Sequence, residues 1–375
     1  MLVSNVKRWL TALAGIALLA HAGGAVAEWG LNLRRGVTPI SQQAYDLHML
    51  ILWICVAIGV VVFGAMFISI IKHRKSKGAK PATFHESTTV EIIWTIVPFL
   101  ILIGMAIPAT KALIAMENTS NPDLTIKVTG YQWKWGYDYL DDGVSFMSTL
   151  TTPREQIENQ QDKGENYLLE VDNPVVIPVD KKVRLLITAN DVIHAWWVPD
   201  FGMKKDAIPG FVNDMWIKAD KEGTYRGQCA ELCGKDHGFM PIVVEVKNEA
   251  DYQQWLVAQK AAMDADAAGA DRDWSMAELM ERGEKVYNTN CLACHQANGE
   301  GVPGAFPGLK GSALTTGPVG AHLDIIMNGK PGTAMAAFGG QLNDIDLAAV
   351  VTYERNSWGN DVGDLIQPSE VKAAR

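Results

Sequence analysis

Residues that bind transition metals are scarce in this 375-residue sequence, which contains five cysteines and eight histidines. Four of the cysteines fall in two short clusters, and the fifth, Cys55, lies among isoleucine, valine and alanine, where an inert packing role is expected. Formal charge is absent from two stretches, 49–71 and 92–109. The scarcity of histidine limits metal chemistry to the two clusters, and the uncharged stretches exclude a wholly soluble chain.

The two uncharged stretches are long enough to form membrane-spanning helices. They contain 23 and 18 residues, and a hydrocarbon core about 30 Å thick needs about 20. Five basic residues lie between them, at Lys72, Arg74, Lys75, Lys77 and Lys80. By the positive-inside rule this connection is cytoplasmic, so the rest of the chain is expected on the outer side of the membrane.

The first 27 residues have the pattern of a secretory signal peptide. A basic start is followed by the apolar segment Leu10–Ala20 and by the small residues Ala25–Ala27, so the mature chain is predicted to begin at Glu28. The alternative is an uncleaved membrane helix, although the apolar segment is about half the length of a span. Under either interpretation, the start of the chain is expected to be exported.

One metal cluster, Cys291-x-x-Cys294-His295, is the pattern of covalent haem attachment. Its thiols bond to haem vinyl groups and its histidine ligates the iron. A thioredoxin-like site would need a βαβ frame, and zinc would need more ligands nearby. Met335, in a glycine-flanked loop, is predicted as the sixth iron ligand, whereas Met327 falls in a helical apolar pattern typical of core packing.

The other metal cluster places Cys229, Cys233, His237 and Met240 within twelve residues. Two thiolates, an imidazole and a thioether form a soft ligand set suited to copper. Cysteines four residues apart can bridge two copper ions, and His194 is the best candidate for a second imidazole. A Cys229–Cys233 disulfide is the alternative in an oxidising compartment, but it leaves the histidine and methionine unexplained, and zinc does not select methionine.

The polar part of the chain divides into a β-rich region and a helical region. Short alternating or β-branched segments predict a β-sandwich or barrel; they are 124–128, 167–171, 182–187 and 242–246. The alanine- and aspartate-rich segment 261–273 is predicted to be a linker or a helical tail. Helices are then predicted from Met276 to Asn290 and from Asp344 to Ser357, with Asn343 as an N-cap.

Residues from about 40 to 258 resemble subunit II of the bacterial haem-copper cytochrome c oxidases, and the segment from Met276 onward resembles a small class I cytochrome c. The first resemblance is carried by five short motifs: Glu91–Thr95, Gln132–Trp135, Asp206–Gly210, Gly227–Gly234 and Phe239–Ile242. Ala336 departs from the cytochrome pattern, in which proline often follows the ligand methionine.

The resemblance implies a two-helix membrane hairpin and an all-β cupredoxin-like domain that holds the binuclear copper centre called CuA. The implied copper ligands are His194, Cys229, Glu231 through its backbone carbonyl, Cys233, His237 and Met240. The Glu231 carboxylate is further implied to help hold a magnesium ion at the boundary with subunit I.

Two further positions match functional residues of the family. Trp133 corresponds to the aromatic residue at which electrons enter, although ordinary aromatic packing is an alternative. Glu91 corresponds to a carboxylate at the entrance of a proton path into subunit I; a carboxylate snorkelling at the membrane edge is the alternative.

The sequence therefore predicts a multidomain membrane protein with an all-β copper domain and a small all-α cytochrome c domain. The predicted segments are a signal peptide (1–27), an N-terminal segment with the hairpin (28–111), the cupredoxin-like domain (112–258), a linker (259–275), the cytochrome c domain (276–360) and a tail (361–375).

The expected function is electron entry into a proton-pumping respiratory cytochrome c oxidase in the bacterial inner membrane. Electrons would pass from reduced cytochrome c or another periplasmic donor, through haem c and CuA, to subunit I. Subunit III is a further expected partner. Nucleic acid is not expected to bind. No histidine cluster remains for reducing oxygen, so no catalytic residue is expected in this chain. A membrane-tethered redox relay or copper protein without an oxidase is the alternative, whereas a nitrous-oxide reductase would need more length and histidine.

An acidic excess lies in the C-terminal third of the chain. Residues 261–375 contain 15 acidic and 8 basic side chains. Such a surface could steer a basic redox partner toward this domain, although a face kept only for solubility is the alternative.

Overall fold

The computed structural model describes residues 32–375, so the predicted signal peptide lies outside the described residues. Within this range the chain separates into two units, one made of 32–35 with 44–85 and the other of 36–43 with 86–375. The second unit contains both metal-binding clusters.

Two long apolar helices come first in the described chain. Helix α1 spans Pro39–Lys72 and helix α2 spans Thr88–Glu117. Each contains a predicted span, and both are long and apolar enough to cross a membrane. Pro98 and Pro108 lie inside α2, where the helix continues through both, a tolerance typical of membrane helices.

A β-sandwich follows α2. Its strands are β1 (Leu124–Tyr131), β2 (Lys134–Tyr139), β3 (Val144–Ser148), β4 (Val175–Pro178), β5 (Val183–Ala189), β6 (His194–Val198), β7 (Met203–Ala207), β8 (Asn213–Ile217), β9 (Gly223–Gln228) and β10 (Pro241–Lys247). They form a five-stranded sheet in the order β3-β2-β1-β5-β8, a three-stranded sheet in the order β4-β10-β9, and the pair β6-β7. A short helix, α3 (Arg154–Ile157), interrupts the series.

The sandwich core follows from strand periodicity. Along β5, buried and half-buried residues alternate from Val183 to Ala189, because successive side chains of a strand point to opposite faces. Strand β2 contributes the fully buried rings of Trp135, Tyr137 and Tyr139 to the same core. Three of the four predicted strand segments are therefore confirmed, with small changes at their ends.

The fourth predicted strand, 167–171, is wrong. The chain turns there: the Tyr167 amide bonds to the Gly164 carbonyl, the Leu169 amide bonds to the Asn166 carbonyl, and Leu168 has a φ of 60°. Only Val171 makes a β-bridge. The apolar residues signalled a strand, but local turn hydrogen bonds satisfy the backbone instead.

Helix α4, Glu249–Gly269, extends into the segment predicted as a linker or a helical tail. Asn248 caps its start by accepting a hydrogen bond from the Asp251 amide. Trp255 packs on Tyr139 of the sandwich, and beyond the far end Trp274 donates its indole N–H to the Gly269 carbonyl. The helical-tail interpretation is thus correct for most of this segment.

The C-terminal domain is helical, as predicted. Its helices are α5 (Met276–Asn290), α6 (Leu292–His295), α7 (Ala313–Thr316), α8 (Val319–Asn328), α9 (Asp344–Asn356) and α10 (Pro368–Ala374). Asn343 caps α9 by accepting from the Asp346 amide, as the sequence predicts. The segment predicted as a tail instead packs into this domain, since Ile366 and Val371 are buried in its core.

Helices α5 and α9 approach closely at Gly283. A Cβ atom added at Gly283 would lie 2.1 Å from the Ala349 carbonyl oxygen and 2.6 Å from the Tyr353 Cβ. Only glycine leaves room for this crossing, so the packing of the two main helices depends on one missing side chain.

We predict that Gly283→Ala lowers the free energy of unfolding of the C-terminal domain by about 1–3 kcal/mol, because the methyl group forces the two helices apart. Differential scanning calorimetry of the full chain in detergent measures the change. Gly320→Ala is the matched control: Gly320 lies on α8 with open space at its Cβ. Equal unfolding temperatures for the two variants would contradict the steric argument.

Candidate metal centres

The first candidate centre lies in the loop that connects β9 to β10. These strands pair from Gln228 with Pro241 onward, so the intervening loop closes on itself. The Cys229 amide bonds to the Met240 carbonyl at 3.4 Å, and the Ala230 amide bonds to the Ala195 carbonyl of β6 at 3.0 Å. Strand β6 begins at His194. Backbone pairing therefore brings a distant histidine to the cysteine loop.

The donor atoms of the predicted ligand set converge in this loop. The two cysteine Sγ atoms are 3.8 Å apart. The Cys233 Sγ lies 3.6 Å from the His237 Nδ1 and 3.5 Å from the Met240 Sδ. The Cys229 Sγ lies 3.3 Å from the Glu231 carbonyl oxygen and 4.0 Å from the His194 Nδ1. All six groups predicted from the sequence thus surround one small volume.

The two cysteines are free thiols in a buried position. Their separation is far from the roughly 2.05 Å of a disulfide bond, and each residue is 3% exposed. The ligand atoms of His194, Cys229 and Cys233 all lie within 4.8 Å of one another. This arrangement fits a metal centre and not the disulfide alternative.

The protonation states of the two thiols are coupled. The hydrogen bond with Cys233, aided by one with His194, lowers the pKa of Cys229, whereas the hydrogen bond with Cys229 and burial raise the pKa of Cys233. The pair therefore gives up one proton readily and resists losing the second, since two thiolates at this distance repel each other. A cation between them is required for both to be ionised, and soft donors of this kind favour copper.

Asp191 orients the His194 ring, a role that the sequence alone did not reveal. The His194 Nε2 lies 2.9 Å from an Asp191 carboxylate oxygen, so Nε2 carries the proton and Nδ1 presents its lone pair to the loop. Burial lowers the pKa of His194, but the hydrogen bonds to Asp191 and Cys229 outweigh it and raise that pKa. The three-residue spacing from aspartate to histidine was the only available signal.

Gly130 makes room for the same ring. A Cβ atom there would lie 2.8 Å from the His194 Cδ2, and the indole of Trp135 packs edge-on against the imidazole at 5.9 Å between ring centroids. The ring is fully buried, so its position is set by packing as well as by hydrogen bonding.

Trp133 lies directly against the cysteine loop. Its indole N–H donates to the Cys233 carbonyl at 3.2 Å, and the Gln132 amide side chain donates to the same oxygen at 2.8 Å. The Lys235 ammonium sits over the indole ring, 5.3 Å from its centroid. The predicted electron-entry residue is thus hydrogen-bonded to the backbone of a candidate copper ligand.

The second candidate centre lies at the end of α5. Cys291 follows α5 directly, and α6 carries Cys294 and His295. The His295 Nδ1 is 2.8 Å from the Pro307 carbonyl oxygen. A carbonyl only accepts hydrogen bonds, so Nδ1 carries the proton and Nε2 keeps a free lone pair for an iron ion. His295 therefore has the tautomer that a haem ligand needs.

The two candidate methionines of this domain occupy different environments. Met327 lies on α8 at 8% exposure among the core residues. Met335 lies in the loop between α8 and α9, half-buried, and packs on the same core as Cys291. The structure agrees with a packing role for Met327 and shows Met335 as a half-buried loop residue.

The remaining predicted residues are polar and accessible. Glu231 is half-buried, and within residues 32–375 its carboxylate has no hydrogen-bond or ion-pair partner. Glu91 is exposed in the first turn of α2, where it accepts a hydrogen bond from the Ser87 amide at 3.4 Å. Neither position contacts another predicted site residue through its side chain.

Comparison with known protein families assigns each part of the chain. The family model for the periplasmic domain of cytochrome c oxidase subunit II matches residues 124–247, and the model for its transmembrane domain matches 26–112. The model for subunit III of the cbb3-type cytochrome c oxidase matches 278–353. The copper domain and the haem domain are thus matched by separate models.

Similar proteins include a probable cytochrome c oxidase subunit 2 of Rickettsia felis, 39% identical over 69% of this chain and 82% of that protein. Cytochrome c oxidase subunit 2 of Arabidopsis thaliana is 40% identical over 63% of this chain and 91% of its own length. Among solved structures, the periplasmic domain of subunit II (CoxB) of Bradyrhizobium japonicum is 44% identical, with a TM-score of 0.35, over 38% of this chain and 98% of that one.

We predict that Asp191→Asn weakens copper binding by about 10–100-fold, because the amide no longer fixes the tautomer of His194 and its position. Competition with a copper chelator on the full chain in detergent measures the affinity. Asp138→Asn is the matched control, since Asp138 forms an exposed ion pair with Lys127 on the same sheet. An unchanged affinity in Asp191→Asn would contradict the orienting role.

Proposed function

Because the chain belongs to the cytochrome c oxidase subunit II family, we propose that it is the electron-entry subunit of a proton-pumping respiratory oxidase. It receives electrons from an external donor and passes them, by way of its haem c and CuA domains, to subunit I, where oxygen is reduced. The observation that carries the proposal is the convergence of six donor atoms around two buried cysteine side chains.

The copper ligands are His194, Cys229, the Glu231 carbonyl, Cys233, His237 and Met240. A binuclear copper centre supplies one-electron chemistry with little change of geometry, and its positive charge allows both thiols to ionise. The side chains of Cys229 and Cys233 are buried, which keeps water from the sulfurs, and Asp191 holds His194 in one orientation. The protein thus prepares the site before any electron arrives.

Trp133 is the electron-entry residue of the copper domain. Its indole N–H donates to the Cys233 carbonyl, and the Lys235 ammonium lies over the face of the ring. A single hydrogen bond joins it to the backbone of a copper ligand, which favours the functional interpretation over ordinary packing.

Haem c would be held by thioether bonds to Cys291 and Cys294, with His295 and Met335 as the residues that would ligate its iron. The hydrogen bond from His295 to the Pro307 carbonyl fixes the ring and leaves Nε2 for the iron. Histidine–methionine ligation raises the reduction potential relative to bis-histidine ligation, as a carrier that donates late in a respiratory chain, close to oxygen, requires.

Two carboxylates have supporting roles at the boundary with subunit I. The Glu231 carboxylate, without a partner in the described chain, helps to hold a magnesium ion. Glu91, exposed at the start of an apolar helix, stands at the entrance of a proton path.

The subunit lies in the bacterial inner membrane, with α1 and α2 as its spans and the metal domains on the periplasmic side. The basic residues after α1 place that connection in the cytoplasm. Subunit I is the main partner and subunit III a further one, and the donor is reduced cytochrome c or another periplasmic carrier.

We predict that Met335→Leu lowers the midpoint potential of haem c and changes its spectrum while the copper signal is retained, because leucine provides no ligand to the iron. Met327→Leu is the matched control, since a volume-conserving change in the core costs little. Redox titration followed by absorption measures both variants. An unchanged haem potential in Met335→Leu would rule out this ligand.

The function is tested by purifying the tagged chain from its native membrane in mild detergent and measuring oxygen uptake with a reduced cytochrome. Cyanide-sensitive uptake, together with co-purification of subunit I, is expected. A redox-active preparation that contains no partner and consumes no oxygen would favour a membrane-tethered relay and contradict the proposal.

A further inference from the structure

Lys134 is a buried cation at the tip of the β1–β2 hairpin. It begins β2, pairs with Tyr131 of β1, and is only 5% exposed. A lysine is rarely buried to this degree unless its ammonium group has partners. One partner is the Tyr131 ring of the same hairpin, whose centroid lies 6.0 Å from the ammonium nitrogen, and the others lie in the C-terminal domain.

The first partner in that domain is Asn290, the residue before Cys291. The Lys134 ammonium donates to the Asn290 side-chain oxygen at 2.5 Å. The Asn290 amide nitrogen donates to the Val286 carbonyl in its own helix at 3.0 Å. This second bond fixes the orientation of the amide, so its oxygen is directed at the lysine.

The second partner is Phe338, in the loop that carries Met335. The Lys134 ammonium lies 5.3 Å from the centroid of the Phe338 ring, within the range of a cation–π interaction. Phe338 is anchored to α8 by a hydrogen bond from its amide to the Ile326 carbonyl at 2.9 Å. One side chain of the β-domain thus contacts both segments that carry the haem ligands.

The same hairpin tip contacts the copper loop on its other side. The side chains of Gln132 and Trp133 both donate to the Cys233 carbonyl. The backbone N–H of Gln132 donates to the Asp191 carboxylate at 2.7 Å. Three consecutive residues, 132–134, therefore contact the copper loop and the haem-binding segments at once.

The charge of Lys134 is retained despite its burial. Burial lowers the pKa of Lys134 to about 8, so the ammonium group is still mostly protonated at neutral pH. A neutral apolar side chain would fill this space at a lower desolvation cost, yet it would not bond to Asn290. A lysine at this position therefore orients the two domains at a cost in folding stability.

We propose that Lys134 is a positioning residue that docks the haem domain on the copper domain and sets the geometry for electron transfer between haem c and Trp133. This role rests on the proposed function, because it concerns transfer between the two centres. The buried ammonium also stabilises reduced haem, since a nearby positive charge favours the iron state of lower charge.

The test compares Lys134→Met, which keeps the apolar length of the side chain, with Lys134→Arg, which restores the charge. Lys127→Met is the matched control, because Lys127 lies on β1 with a side chain 45% exposed and pairs with Asp138. Three quantities are measured on the full chain in detergent: amide hydrogen exchange, the haem c midpoint potential, and the rate of electron exchange between haem and copper after flash reduction.

In Lys134→Met we expect exchange at residues 131–134 and 336–340 to rise at least tenfold, because a hydrogen bond to a charged group is lost at the interface. Electron exchange should slow by about tenfold or more, and the haem potential should fall. Lys134→Arg should recover most of each change, and Lys127→Met should match the wild type.

Unchanged hydrogen exchange in Lys134→Met would overturn the docking role, and an unchanged electron-transfer rate despite faster exchange would overturn the positioning role. If Lys134→Met does not fold, Asn290→Ala removes the acceptor of the Lys134 hydrogen bond instead. The same hydrogen-exchange and electron-transfer results then decide between the roles. A wild-type chain without haem or copper signals would contradict the proposed function, whereas the hydrogen-exchange comparison would still decide whether Lys134 docks the two domains.

Discussion

Two buried cysteine sulfurs held 3.8 Å apart repel each other when both are ionised, and this repulsion is the constraint around which the copper domain is built. A cation between the sulfurs would relieve this repulsion, and the fold prepares for one by placing an imidazole beside each sulfur, together with a thioether and a backbone carbonyl. The pairing of β9 with β10 closes the loop, and the Ala230–Ala195 hydrogen bond adds the start of β6 to it. A rigid sandwich below the loop then keeps these donors in place as an electron arrives and leaves.

The second organising feature is the tip of the β1–β2 hairpin. Three of its residues make the connection: Gln132 and Trp133 bond to the copper loop, and Lys134 bonds to the helix that precedes the haem-attachment cysteines. The two candidate centres therefore share a structural support, and their relation does not depend on the α4 connection alone. These contacts give the C-terminal domain a defined position relative to the copper domain. A fixed relative position is the condition for fast electron transfer within one chain.

Local signals explain where sequence-based prediction succeeded. Helix α5 begins after Ser275 and ends before Cys291, as its capping and apolar patterns indicate, and Asn343 caps α9 through its own side chain. The prediction failed at 167–171, where apolar residues form a turn, and at the tail, where Ile366 and Val371 enter the core. Both failures arise because local patterns do not report which distant surface a segment meets.

The sequence by itself determined the chemistry of this protein: the haem-attachment pattern, the soft ligand set and the uncharged spans each follow from residue type and spacing. Only the tertiary structure decided that Asp191 orients His194, that Gly130 and Gly283 leave room for a ring and a helix crossing, and that Lys134 joins the two domains. Most ligand atoms belong to side chains whose chemistry the residue type fixes, whereas their orientation depends on contacts between residues far apart in the chain, which the fold alone brings together.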